Sequence, residues 1–332
     1  MSKFAGIIAV CSLFFASLVI SIPAASAQDK PAAQADKEVP LPPALDKSFM
    51  DTTVDPCVNF AKYACGNFSK LYPIPPDKSS YGSFYIMYDH TQVALHSLLE
   101  KVEADNSSRA PNEQKIGDFY ATCMNKNAID AAGLRPLQAE FDRIAALKSK
   151  SDLTALLAHD QLINVNAFFG FGEQQDFKDA RKQIASVDQG GLGLPERDYY
   201  LRTGEAAEKT RAQYVEHITK MLKLIGESDS AAAADAKKIM ELETAQAKVS
   251  MDITSRRDPK NVYHLLPVSD LAAITPSIAW TSLLQETGTA SVTELNVANP
   301  EFFKGLNALI QSTDLETIKA YLRWQLINGI PS

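Results

Sequence analysis

The sequence predicts a mainly α-helical fold with one small β element. Most stretches between residues 89 and 327 repeat apolar residues at intervals of three and four, which is the period of an amphipathic helix. One stretch, 163–189, instead holds two segments of aromatic and β-branched residues around a polar centre at Asp176. This arrangement is typical of a β-hairpin, although the central charges are also compatible with a longer loop.

The chain begins with a segment typical of a secretory signal peptide. Lys3 gives a basic start, 4–22 is mostly apolar, and 25–27 reads Ala-Ser-Ala, a small-residue cleavage pattern. We therefore predict a signal peptide over 1–27, cleavage before Gln28, and export to the periplasm or the extracellular space. The alternative is an uncleaved membrane anchor. Only in that case would the protein be associated with a membrane. The serines in the apolar run and the Ala-x-Ala ending disfavour it.

Composition divides the rest of the chain. Residues 28–48 are rich in proline, alanine and charge without any periodicity, which predicts a flexible leader. From Phe49 the composition is that of a globular protein, and YPIPPDKSS at 72–80 predicts a proline-broken loop.

Helical periodicity accounts for most of the remaining elements. A first helix is predicted from Asp89 to about Ala104. The clearest amphipathic stripe lies over 204–225, and Gly226 is predicted to end that helix. Other helices are predicted to begin near Asn112, residue 136, Asp152, Ser228 or Asp229, and Asp314.

The segment GLGLPERDYYL at 191–201 lies between the predicted hairpin and the helix predicted over 204–225. Its glycines and Pro195 predict a turn, and Glu196 can open a short helix. Glu196, Arg197 and Asp198 could form an acid–base cluster, but carboxylates at a helix start more often cap it and pair with a neighbouring cation.

Charge and histidine spacing exclude several functions. The formal net charge of −7 is spread along the chain and gives no electrostatic reason to expect nucleic acid. A helical zinc site commonly needs two histidines four residues apart, and no pair has that spacing. No serine nucleophile elbow and no phosphate-binding loop occurs. We therefore predict neither catalytic nor metal-binding residues. The histidines are His90, His96, His159, His217 and His264.

Three cysteines remain after the predicted cleavage, namely Cys57, Cys65 and Cys123. An exported protein meets an oxidising compartment, where thiols tend to pair, and three is an odd number. One interpretation pairs Cys57 with Cys65 and leaves Cys123 buried and free. The other interpretation leaves all three for partners elsewhere.

Several motifs in order resemble one family. DPCVNFAKYACGNF at 55–68 and YPIPPDKSSYGSF at 72–84 resemble the amino-terminal hallmark of the M13 family, the neprilysin-like or PepO-type zinc metallopeptidases. Further similar stretches are DFYATCMN at 118–125, GLGLPERDYYL at 191–201, RRDPKNVYHLLPVSDL at 256–271, IAW at 278–280 and YLRWQLI at 321–327. The motif residues interpreted as structural are Pro56, Phe60, Tyr63, Gly66, Leu194, Pro195, Arg197, Asp198, Tyr199 and Tyr200.

Three substitutions depart from the usual form of the first motif. Asn59 stands for an aspartate, Ala61 for an aromatic residue and Phe68 for a tryptophan. Around YGSF, Ser80 and Tyr85 stand where vertebrate members carry the arginine and aspartate that bind a substrate carboxylate. The resemblance therefore assigns no substrate-binding residue to that loop.

The resemblance implies a two-lobed helical peptidase that encloses a cavity and acts on peptides. The zinc motif, His-Glu-x-x-His with a downstream Glu-x-x-x-Asp, lies in the carboxy-terminal half of such chains, which this chain does not reach. We expect 49–105 to pack on the missing catalytic lobe and 106–332 to form a truncated helical domain. Zn²⁺ would then belong to the full-length enzyme, and this chain alone would be inactive. The alternative is a non-catalytic exported module that binds a peptide or a separately encoded catalytic half.

The resemblance also bears on the cysteines. In vertebrate members the cysteines equivalent to Cys57 and Cys65 pair with cysteines near the carboxy terminus, and the equivalent of Cys123 pairs shortly beyond the end of this chain. The resemblance therefore implies that each of the three cysteines forms a disulfide bond with a cysteine outside this chain.

Overall fold

A computed structural model describes residues 46–104 and 109–329. The chain divides into two compact units, Met1–Ile129 and Asp130–Ser332. The predicted signal peptide, its cleavage site and the leader up to residue 45 lie outside the described residues. The domain boundary predicted at 105/106 remains a prediction.

Short and long helices make up the described part of the first unit. A 3-10 turn at Lys47–Phe49 is capped by the side chain of Asp46, which accepts a hydrogen bond from Ser48 N at 2.8 Å. The helices are α1 (Phe60–Cys65), α2 (Phe68–Leu71), α3 (Ser83–Ala104), α4 (Pro111–Met124) and α5 (Lys126–Ala132), the last of which crosses into the second unit.

Helix α3 begins at Ser83, so the predicted start at Asp89 is wrong. The carboxylate of Asp89 instead accepts hydrogen bonds from Lys78 Nζ at 2.7 Å and from Tyr81 OH at 2.8 Å. Its side chain therefore fastens the proline-rich loop to the helix rather than capping the helix, since a capping residue must lie at the helix start.

Helices α3 and α4 pack against each other with little enclosed core. Gly117 lies where they approach closely, because a Cβ there would stand 2.9 Å from the carbonyl oxygen of Val102. Among the described residues of this unit, Ile86 is the only large apolar side chain that is buried. The apolar stripes that predicted these helices are therefore largely exposed.

The second unit carries the main hydrophobic core. Its longest helices begin close to their predicted starts. Ser228 caps helix α10 (Asp229–Val249) by accepting a hydrogen bond from Ala231 N, and Gly226, with φ +100°, follows helix α9 (Glu205–Leu224) as predicted. The other α-helices of this unit are α6 (Gln138–Ala145), α7 (Leu153–Leu162), α8 (Asp198–Leu201), α11 (Val268–Ile274), α12 (Trp280–Glu286), α13 (Pro300–Ser312) and α14 (Leu315–Gly329).

The predicted hairpin is confirmed, but it is half of a larger sheet. Strands β1 (Phe169–Gln175) and β2 (Gln183–Gln189) pair antiparallel, and β3 (Leu265–Pro267) and β4 (Glu294–Val297) extend them in the order β1-β2-β4-β3. Strand β4 runs parallel to β2 and antiparallel to β3. The sequence missed β3 and β4 because three or four residues are too few to display a two-residue alternation.

Within 46–104 and 109–329, no helix combines the length and the apolar character that crossing a bilayer requires.

Candidate functional site

A buried carboxylate lies at the centre of the second unit. Glu243 of α10 is fully buried, and its Oε2 accepts hydrogen bonds from Tyr200 OH and Tyr214 OH, each at 2.8 Å. Its Oε1 accepts from Trp324 Nε1 and Gln325 Nε2, each at 3.2 Å. One side chain therefore joins α8, α9, α10 and α14.

The same network holds the GLGLPERDYYL segment. Tyr200 OH accepts a hydrogen bond from Leu194 N at 2.8 Å. The carbonyl oxygen of Gly191 accepts from Tyr321 OH at 2.8 Å and from Gln325 Nε2 at 3.0 Å. The motif is thus fastened at both ends to helices far away in sequence.

Burial dominates the electrostatics of this cluster. It raises the pKa of Glu243 to about 7, while the donors around the carboxylate act in the opposite direction. Burial and the nearby carboxylate also raise the pKa values of Tyr200 and Tyr214, so both hydroxyls remain neutral donors. An enclosed carboxylate with its hydrogen bonds satisfied is suited to holding structure together.

The remaining residues of the motif make contacts at its surface. Arg197 Nη1 donates to the carbonyl oxygen of Ser250 at 2.9 Å, and Glu196 Oε2 accepts from Asp198 N at 3.0 Å, which agrees with a capping role. Asp198 also pairs with Arg202 at 3.0 Å. Tyr199 is exposed, whereas Leu194, Pro195 and Arg197 line a cavity of about 270 Å³. A structural role for these residues stays a prediction.

The first motif builds the short helix α1. Asn59 caps this helix, because its side chain accepts a hydrogen bond from Lys62 N at 2.9 Å. Asp51 N donates to Tyr63 O at 2.8 Å, and a Cβ on Gly66 would collide with the carbonyl oxygen of Lys62. Pro56 and Phe60 are exposed.

The three cysteines are unpaired and exposed. This exposure contradicts the interpretation in which Cys123 is buried. Cys123 lies with Leu99, Ile116 and Phe119 on an apolar cavity of about 430 Å³ between α3 and α4. Pairing of Cys57, Cys65 and Cys123 with cysteines beyond this chain stays a prediction.

Exposed apolar side chains are concentrated in the first unit. Phe84 is 88% exposed, Val58 82% and Phe119 73%. These values are high for side chains that ordinarily lie in cores. The described residues of the first unit with large exposed apolar side chains are Val58, Phe60, Leu71, Ile74, Phe84, Tyr85, Met87, Tyr88, Leu95, Leu98, Ile116, Phe119, Met124 and Ile129.

The described residues do not fit a zinc ion. In 46–104 and 109–329, no three side chains among histidine, cysteine, aspartate and glutamate come together as a metal site. His159 Nε2 lies 2.7 Å from Glu140 Oε2, and this pair lacks a third donor of the kind that zinc requires. No catalytic step can therefore be derived through a metal held by these residues.

Asp160 provides a test of pH dependence. It is 5% exposed, and burial, followed by the charge of Glu140, raises its pKa to about 7. Between pH 4 and 7 the folded chain holds a proton on Asp160 that the unfolded chain releases, so this group's contribution to stability is largest near pH 4 and falls as pH rises. We expect Asp160→Asn to flatten the pH dependence of the free energy of unfolding and to raise stability at pH 8 by up to a few kcal/mol.

Urea unfolding of the Asp160→Asn variant and of the unaltered protein between pH 4 and 8 would measure this difference in stability. Parallel curves for Asp160→Asn and the unaltered chain would contradict the expected protonation of Asp160.

Glu243 and Gln246 organise the core but were not predicted from the sequence. Gln246 Nε2 donates to Phe168 O at 2.9 Å and also contacts the carbonyl oxygen of Gly190. Glu243 lies four residues after the apolar Ile239, on the buried stripe of α10. A carboxylate inside an apolar stripe was the available indication that it is enclosed and hydrogen-bonded.

Comparison with known proteins agrees with this fold. The model of Peptidase family M13 matches residues 56–332. The chain is 31% identical to human Endothelin-converting enzyme 1 over 301 residues, covering 86% of this chain and 38% of that protein. It is 28% identical to Neprilysin-3 of Drosophila melanogaster over 306 residues, covering 85% of this chain and 38% of that protein.

Solved structures give the same relationship. Zinc metalloprotease Zmp1 of Mycobacterium tuberculosis, solved with an inhibitor, superposes with a TM-score of 0.79 at 27% identity, covering 87% of this chain and 44% of Zmp1. PepO of Lactobacillus rhamnosis shares the fold, with a TM-score of 0.64 at 14% identity. The chain spans about two fifths of the length of the curated relatives it matches. Since the family match covers nearly the whole described chain, the protein belongs to peptidase family M13.

Proposed function

We propose that this chain is the amino-terminal portion of an exported zinc metallopeptidase that cleaves peptides. The zinc and the groups that activate water would come from sequence beyond this chain. The observation that carries the proposal is the family match over residues 56–332, combined with coverage of only 38% of relatives such as Endothelin-converting enzyme 1.

The exposed apolar residues of the first unit support the proposal. Soluble monomers rarely expose large contiguous apolar patches, and such patches commonly mark surfaces for another protein segment. Residues 49–105, with Phe84 and Val58 among the most exposed, would pack on the catalytic half.

Zinc would supply Lewis-acid activation of a water molecule in the complete enzyme. This chain would contribute part of the helical wall of the peptide cavity that the family resemblance implies.

Metal analysis and peptide cleavage test the proposal directly. The mature chain, residues 28–332, is expected to bind no stoichiometric zinc and to leave a fluorogenic peptide intact. The same chain joined to a segment carrying His-Glu-x-x-His from the adjacent DNA is expected to bind zinc and to cleave the peptide until a chelator is added. Stoichiometric zinc with turnover by 28–332 alone would refute the proposal. An adjacent sequence without that motif would favour a stand-alone binding module.

The same two preparations report on the cysteines. We expect Cys57, Cys65 and Cys123 to react with a thiol reagent in the shorter chain and to be protected in the joined protein. A Cys57–Cys65 bridge with one reactive thiol in the shorter chain would contradict the inferred pairing.

A further inference from the structure

Strand β1 forms one edge of the four-stranded sheet. Its inner side pairs with β2, and the strand order β1-β2-β4-β3 places no strand of the described chain on its outer side. An unpaired edge presents a row of N–H and C=O groups that another chain can pair with. Gly172, Glu173 and Gln175 on this strand are exposed.

The hydrogen bonds of β1 establish which of its residues direct their backbone groups outward. Asp176 N donates to Lys182 O at 3.0 Å, so the even-numbered residues direct their backbone groups toward β2. The backbone groups of Phe169 and Phe171 are directed to the other side, where they meet the side chain of Gln161. By alternation, the N–H and C=O of Glu173 and the N–H of Gln175 also point outward.

Gln161 of α7 already occupies part of this edge in the manner of a strand. Its Nε2 donates to Phe169 O and its Oε1 accepts from Phe171 N, both at 3.0 Å. A side-chain carboxamide has the same donor and acceptor as a backbone peptide group, so this pair of bonds reproduces one rung of a sheet ladder. The edge is therefore correctly oriented for pairing, and Gln161 covers only its first rung.

Two glycines leave the surface beside this edge bare. A Cβ built on Gly170 or Gly172 would meet no atom within 4 Å. Glycine weakens a strand interior and often marks a place where a ligand or another backbone approaches closely. An aromatic side chain on a neighbouring strand packs well across such a glycine.

We propose that the outer edge of β1, from Phe171 to Gln175, binds an extended polypeptide segment as an added strand, continuing the ladder that Gln161 begins. The segment carries an aromatic side chain opposite Gly172. Identifying this segment as a peptide substrate rests on the proposed peptidase function. The binding itself rests only on the geometry of β1.

A synthetic peptide provides the probe. We suggest a labelled peptide of about eight residues with blocked ends, alternating threonine with valine and carrying phenylalanine near its centre, because such sequences favour extended strands. Alternate N–H groups of a bound strand face its partner, so N-methylation of two adjacent central residues removes one facing donor in either register. We expect this change to weaken binding to residues 28–332 about tenfold. The control peptide carries two adjacent N-methyl groups at its amino end. Fluorescence anisotropy measures binding.

A pair of protein variants tests the same edge by altering the protein instead of the peptide. Glu173→Pro removes one outward N–H without removing a bond to β2, since proline is tolerated at edge positions whose N–H faces solvent. Glu173→Ala keeps the N–H and is expected to bind the peptide about tenfold more tightly than Glu173→Pro. Equal binding by the two variants, indifference to central N-methylation, or no binding of the unmodified peptide at millimolar concentration would each overturn the proposal.

These measurements use residues 28–332 without metal and without cleavage. Failure of the zinc and cleavage test would therefore leave this result standing as peptide binding by a helical module. Failure of peptide binding would leave the peptidase proposal standing with a different surface for substrate.

Discussion

Glu243→Ala is expected to lower the free energy of unfolding by about 3–5 kcal/mol, because it removes a fully buried acceptor from several donors at once. The hydroxyls of Tyr200 and Tyr214, each 2.8 Å from the carboxylate, would lose this acceptor inside the core. The indole N–H of Trp324, at 3.2 Å, would lose this acceptor and keep its hydrogen bond to Tyr214 OH at 3.0 Å. A buried donor without a partner retains the full cost of its removal from water.

Urea unfolding followed by tryptophan fluorescence would measure this change. Glu241→Ala is the matched control, because Glu241 lies on the same helix and is exposed, so its loss should change stability by less than about 0.5 kcal/mol. Glu243→Gln keeps the volume and one acceptor oxygen, so we expect a smaller loss than for alanine. Similar stabilities for Glu243→Ala and Glu241→Ala would show that the network contributes little.

Gly191→Ala is expected to be nearly as damaging, at roughly 3–5 kcal/mol, for a different reason. Gly191 has φ +74°, a conformation that costs alanine about 1–2 kcal/mol. A Cβ there would also stand 2.5 Å from Phe168 N and 2.7 Å from Gln246 Nε2, and would collide with Tyr321 OH. The overlap displaces the bonds that join the motif segment to α14.

Gly288→Ala separates the two causes. Gly288 has nearly the same φ, +75°, but a Cβ on it would meet no atom within 4 Å. We expect this control to lose only the conformational cost, about 1–2 kcal/mol. Equal losses of unfolding free energy for Gly191→Ala and Gly288→Ala would mean that the atoms around Gly191 move aside without an energetic penalty.

Helices were predicted more accurately than short strands. The starts of helices α9 and α10 were predicted within a residue or two, because their apolar stripe, the Ser228 cap and Gly226 all act within a few residues of chain. The start of α3 was wrong, because Asp89 is held by Lys78 and Tyr81 rather than by the helix end. Strands β3 and β4 were missed because they are too short to show an alternation and because their pairing partners are remote in sequence.

The amino-acid sequence by itself determined the helical class, the β1–β2 hairpin and the family, because periodicity, turn residues and ordered motifs are local properties of the chain. Only the tertiary structure decided that Glu243 is buried among donors, that Gln161 covers part of the β1 edge, and that the apolar stripes of α3 and α4 remain exposed. Each of these depends on which distant segments meet. The bond between Trp324 and Glu243 spans 81 positions, and no local pattern specifies a contact at that separation.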